Sequence, residues 1–86
     1  MAIMDIITNP MVEKAVNNIP GRTFNTLHVI EQLIVLENEA VGEVKSYSSK
    51  NWRGLIGKAV KRFAVQTNKI EQISPSDESP ARWRKR

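Results

Sequence analysis

Eleven of the thirteen lysines and arginines in this chain fall in its second half, and their grouping is the feature that could do chemistry. Lys50, Arg53, Lys58 and Lys61 recur along the stretch Ser49 to Gln66, while Arg82, Arg84, Lys85 and Arg86 gather in the terminal run. Such groups neutralise charge. Each cation brought to a phosphate displaces condensed counterions, so cations confined to one part of a small fold are the footprint of a polyphosphate partner. Residues 45–86 hold only Glu71, Asp77 and Glu78 in opposition, a net +8. Residues 1–44 are the reverse: Asp5, Glu13, Glu31, Glu37, Glu39 and Glu43 against Lys14 and Arg22, a net −4. The bland counterpart is a basic surface that serves solubility alone.

Other chemistries find little material. There is no cysteine and His28 is the sole imidazole, which removes thiolate metal centres and disulfide frameworks. A Ser/His/Asp arrangement would have to be built on His28, and the run Leu27-His28-Val29-Ile30 is the setting of a helical core edge rather than of a site. Gly54-x-x-Gly57 matches no phosphate-loop or dinucleotide-loop pattern. The expectation is a protein that is not an enzyme and takes no metal or cofactor. No apolar run approaches the ~20 residues of a membrane span, and Met1-Ala2-Ile3-Met4-Asp5 lacks the basic start of a secretion signal. A cytoplasmic protein with no membrane partner is expected.

The cations need a scaffold. Trp52, Leu55, Ile56, Ala59, Val60, Phe63 and Ala64 repeat at the 3.6-residue period of one buried stripe, predicting a helix over 49–66 capped by Ser48 or Ser49. Its opposite face carries Lys50, Gly54, Gly57 and Lys61, flanked by Arg53, Lys58 and Arg62. Each interior glycine costs up to ~1 kcal/mol relative to alanine. Two of them a turn apart suit close approach to something bulky, or are simply tolerated. Downstream, Lys69-Ile70-Glu71-Gln72-Ile73 and Ala81-Arg82-Trp83-Arg84 read as two short strands around a Pro/Ser-rich tip, a hairpin over 69–84. Trp83 with Ile70 or Ile73 would face the core, leaving Arg82 and Arg84 outside.

Upstream, Asn9-Pro10 reads as a helix start and Pro20-Gly21 as its end, with Met11, Val12, Ala15, Val16 and Ile19 on one face. Arg22-Thr23-Phe24 is β-prone. Asn25 or Thr26 caps a second helix over about Leu27 to Glu37, so apolar that it should be the central element, and Phe24 can staple onto Val29. Asn38 to Ser48 reads as a connector, tacked down by Val41, Val44 and Tyr47. Residues 1–8 form an apolar extension whose Ile3, Ile6 and Ile7 either prolong the first helix or cover a partner surface, making a homodimer through this segment an expectation. At 86 residues, 41% hydrophobic and 26% charged, the chain should be one mainly α domain with a small β-hairpin.

Helix, short strand, helix, basic helix and hairpin resembles a winged helix-turn-helix domain of three helices plus a C-terminal wing. Asn51-Trp52-Arg53-Gly54 at a helix start, the Ile70-Glu71-Gln72-Ile73 strand and the closing Arg82-Trp83-Arg84 are similar to small phage-type winged-helix proteins. That resemblance implies double-stranded DNA as partner, in a transcriptional regulator or a phage or plasmid DNA-handling factor. The 49–66 helix would be the recognition helix, since a helix fits the major groove with its basic face toward the phosphates. Lys50, Arg53 and Lys61 would then contact phosphate or groove, flanked by Ser49 and Lys58. Asn51 and Arg53 would read bases, Gly54 and Gly57 would let the backbone approach, and Arg82, Arg84 and Lys85 would be wing contacts. The long connector and the acidic tip residues Asp77 and Glu78 depart from the pattern. A winged helix can also serve as a protein-docking module, and that is the alternative.

Overall fold

A computed structural model describes residues 6–75 and 78–86. Its elements run in the order α1 (Asn9–Asn17), β1 (Thr23–Asn25), α2 (Thr26–Leu36), α3 (Asn38–Tyr47), α4 (Trp52–Thr67), β2 (Ile70–Gln72) and β3 (Arg82–Lys85). The domain is mainly helical with a small antiparallel sheet, in which β3 lies between β1 and β2. Ser76 and Asp77, at the expected hairpin tip, lie outside the described residues, as do residues 1–5 with Ile3.

The first helix starts a residue earlier than its Asn-Pro signal suggests. Thr8 is the cap, its Oγ1 accepting the Met11 N–H at 3.4 Å. Asn9 is thereby free for tertiary work: its amide donates to Gln66 Oε1 at 2.8 Å and accepts from Arg62 Nε at 3.3 Å. Arg62 also donates to the Ile7 carbonyl. These bonds fasten the segment before α1 to α4, and Ile6 and Ile7 are buried in the core. Neither is available to a partner, so the homodimer expectation loses two of the three side chains it rested on.

Asn25 caps α2 as expected, and does so reciprocally. Its side chain accepts the His28 N–H at 3.0 Å while His28 Nδ1 accepts the Asn25 N–H at 3.1 Å, satisfying two donors that a helix start leaves open. His28 is exposed, not at a core edge. The apolar surplus of α2 also sorts differently from expectation: Val29, Ile30 and Leu33 are buried, whereas Leu27 and Val35 are exposed.

The expected connector is a helix. Glu37, at φ −132° and ψ 52°, breaks the chain's helical path, and α3 then runs ten residues. Val41 and Val44 are buried where α3 packs on α2 and α4, while Tyr47 stays exposed. With Gly42 in its middle and two buried residues, α3 has weak intrinsic helicity, and packing supplies what propensity does not. The domain therefore has four helices among its described residues rather than three.

The stripe on α4 is buried much as its spacing predicts, with Trp52, Ile56, Ala59, Val60 and Phe63 inside. The helix begins at Trp52, three residues later than expected, because Ser49, Lys50 and Asn51 form a turn in which Ser48 Oγ accepts the Asn51 N–H at 3.1 Å. It ends at Asn68 in the left-handed region, φ 58°, where asparagine is better tolerated than most side chains. In the sheet, Trp83 pairs with both Phe24 and Gln72. Its Nε1 donates to Thr26 Oγ1 at 2.9 Å, and the Thr26 N–H bonds the Ala81 carbonyl at 3.0 Å, locking the start of α2 onto the hairpin. Ile70 is the hairpin's buried isoleucine and Ile73 is exposed.

Candidate functional site

The outward face of α4 is built by subtraction. Once the stripe from Trp52 to Phe63 is buried, the 3.6-residue period leaves Arg53, Gly54, Lys58 and Lys61 exposed, with Gly57 half-buried. These residues line one wall of a groove of ≈340 Å³, whose far side is Thr26, Leu27 and Ile30 of α2 with the Glu78–Ala81 corner of the hairpin. Among the described residues, Lys50, Arg53, Lys58 and Lys61 have no carboxylate within ion-pair reach. Unpaired cations beside a low-dielectric wall project their field outward with little cancellation.

Two neighbours shape the start of this face. The Trp52 ring lies beneath both the Arg53 guanidinium and the Lys45 ammonium, each 4.5 Å from the ring centroid, a cation–π arrangement that holds both side chains near the helix start. Asn51 is exposed and its side chain makes no capping bond. The two glycines also find internal explanations. A Cβ on Gly54 would sit 2.7 Å from Asn51 Oδ1, and one on Gly57 would meet the Thr26 methyl at 3.8 Å. Gly54 thus gives the Asn51 amide its resting place, and Gly57 lies against the start of α2.

The hairpin holds its charge differently. Residues 82, 84 and 86 share the sheet face opposite Trp83 by the two-residue period of a strand, and each arginine is met by a carboxylate. Arg82 Nε contacts Glu78 Oε2 at 3.0 Å. Glu71, directly across from Arg84, receives Arg84 Nε on Oε1 at 2.7 Å and Arg86 Nη2 on Oε2 at 3.3 Å. The hydrogen bond from Arg84 holds the Glu71 carboxyl below its usual value; loss of solvent opposes it, and the weaker charge attractions of Arg84 and Arg86 add to the lowering. Lys85 lies apart from the other expected wing residues. It falls on the Trp83 side of β3, and its ammonium donates to the Ile19 carbonyl.

Of the residues singled out from sequence, Arg53, Gly54, Gly57, Lys58 and Lys61 come together in the groove, and Ser49, Lys50 and Asn51 sit exposed at its helix-start end. Arg82 and Arg84 are exposed but engaged, and Lys85 points elsewhere. Sequence reading missed the place of Lys45 over Trp52 and the pairing of Glu71 and Glu78 with Arg82, Arg84 and Arg86. Glu71 and Arg84 occur in facing strands of a predicted hairpin, which is a signal, but only the register makes them partners.

Among the described residues no cluster of three or more His, Asp or Glu is placed to hold a metal ion, and no helix is long and apolar enough to cross a membrane. Compared with known protein families, curated proteins and solved structures, the chain finds no match.

Proposed function

We propose that this chain is a winged-helix protein that binds duplex DNA, with α4 as the recognition helix and the β2–β3 hairpin as the wing. The observation that carries the reading is the row Arg53, Lys58 and Lys61, unpaired among the described residues and exposed on one face of α4. A helix inserted in the major groove brings such a row to the phosphates on its rims, while Asn51 and Arg53 at the helix start reach base edges. The order α1, β1, α2, α4, β2, β3, with β1 closing the sheet against β3, supports the winged-helix assignment. Helix α3 stands where a tight turn would join α2 to the recognition helix, and is this chain's departure from that plan. The output is regulation of transcription or handling of phage or plasmid DNA.

Docking of an acidic protein segment is favoured by one feature, the exposed Leu27 on the same groove as the cations. Fluorescence anisotropy with a labelled duplex, titrated with salt and challenged with poly-glutamate, separates the two. Three helix-face contacts predict a log-log salt slope of about −3. Displacement by poly-glutamate at equal charge, together with a flat salt response for DNA, would transfer the function to protein docking.

A further inference from the structure

Glu71 has a place that sheet pairing alone does not require. Its two oxygens are shared between two arginines: Oε1 receives the Nε and Nη2 of Arg84, and Oε2 receives Nη2 of Arg86. Two guanidinium groups converging on one anion form the fork that grips a phosphate equally well. The carboxylate also lies in a hollow that it shares with Arg86, Asn68 and Lys61. Lys61 lines this hollow and the helix–hairpin groove alike, so the exposed cation row of α4 leads by way of Lys61 to Arg86, one arm of the fork, with Arg84 beyond it across Glu71. The Glu71 side chain retains 29% of its exposure, and those of Arg84 and Arg86 retain 51% and 47%. An incoming anion can therefore reach all three.

We infer that Arg84 and Arg86 form a phosphate seat at the end of the α4 track, and that Glu71 occupies it as a built-in anion which limits the affinity of the protein for a nucleic-acid backbone. This rests on the duplex-binding reading of the α4 face and adds to it the identity of the residue that restrains binding. Exposed ion pairs contribute little to folding, so the Glu71 charge can be removed without loss of the fold. With Glu71 in place the two arginines and the carboxylate together present half the positive charge of the bare pair. Without it, two arginines already held on one side of the sheet become available to a phosphodiester.

Glu71→Gln tests the idea, because glutamine keeps the size and polarity of the side chain while removing the competing charge. Binding to one labelled duplex is measured over a range of salt for wild type, Glu71→Gln and Lys61→Ala, with circular dichroism confirming the fold of each. Glu71→Gln should bind about three- to tenfold more tightly and steepen the salt slope by about one to two, the signature of one or two added phosphate contacts. The Nε–H resonances of Arg84 and Arg86 should shift on adding duplex to Glu71→Gln and stay unmoved in wild type. Tighter binding with unmoved resonances would reduce Glu71 to a mere contributor of net charge and overturn the seat, as would wild-type resonances that already shift. Equal affinity of wild type and Glu71→Gln, with Lys61→Ala weaker, would remove the inference and leave duplex binding standing. Absence of duplex binding by wild type and Glu71→Gln alike would remove both.

Discussion

The α4 face and the β2–β3 hairpin carry arginines and lysines at similar density, yet they differ in what those charges can do. On α4 the neighbours of Arg53, Lys58 and Lys61 along the exposed face are glycines and one another, with no carboxylate among the described residues to meet them. On the hairpin, Glu71 and Glu78 face the arginines at ion-pair distance. Formal charge is read from a sequence residue by residue, but the field a partner meets depends on where the counter-charges fold to. A helix whose second face is buried must show the remaining face to solvent, and here that face holds no acid. A strand pair brings residues from two stretches side by side, and here the stretches carry opposite charges.

The largest effect that would break this contrast comes from beneath it. Phe63 is almost wholly buried, and it holds the stripe of α4 in the core so that the cation face points outward. Phe63→Ala should cost ~3–5 kcal/mol, a large share of the roughly 4–13 kcal/mol expected of a domain this small. Urea denaturation measures it, and a midpoint close to wild type would mean that α4 is not anchored by that ring.

The contrast itself is sharpened by two charge-neutralised proteins measured on the same duplex. Lys58→Gln with Lys61→Gln should reduce affinity by about tenfold or more at physiological salt and flatten the salt slope by roughly two, one for each lost phosphate contact. Glu78→Gln with Arg82→Gln removes a pair whose charges already cancel, leaves the net charge unchanged, and should alter affinity by less than about threefold. Equal losses from the two proteins would show that the hairpin pair opens on binding and that the two regions act alike.

The smallest effect lies in α3, which positions α4 from the other side. Gly42 is exposed in the middle of this helix, and a Cβ there would meet nothing within 4 Å. Gly42→Ala should stabilise the domain by up to ~1 kcal/mol through helix propensity alone, raise the melting temperature by a few degrees, and leave duplex affinity unchanged. A loss of stability would show that α3 depends on the glycine.

Much of this molecule was legible from local pattern. The stripe of α4, the Asn25 cap of α2, the inward Trp83 with outward Arg82 and Arg84, and the cation face opposite the stripe all follow from periods of 3.6 and 2 and from capping chemistry acting over three or four residues. Helix α3 was not legible, because its Gly42 and scattered valines carry little intrinsic helical signal and only contact with α2 and α4 makes the helix worth forming. The burial of Ile6 and Ile7, the turn of Lys85 toward Ile19 and the brace of Glu71 on Arg84 and Arg86 were likewise hidden. Each joins residues 13 or more positions apart, as in the Arg84–Glu71 and Lys85–Ile19 bonds. Local sequence determined which side chains each helix or strand would turn outward. Which of the outward cations stayed free and which met an acid was decided by tertiary structure, because an ion pair needs its two charges within a few ångströms and only the folded chain brings them there.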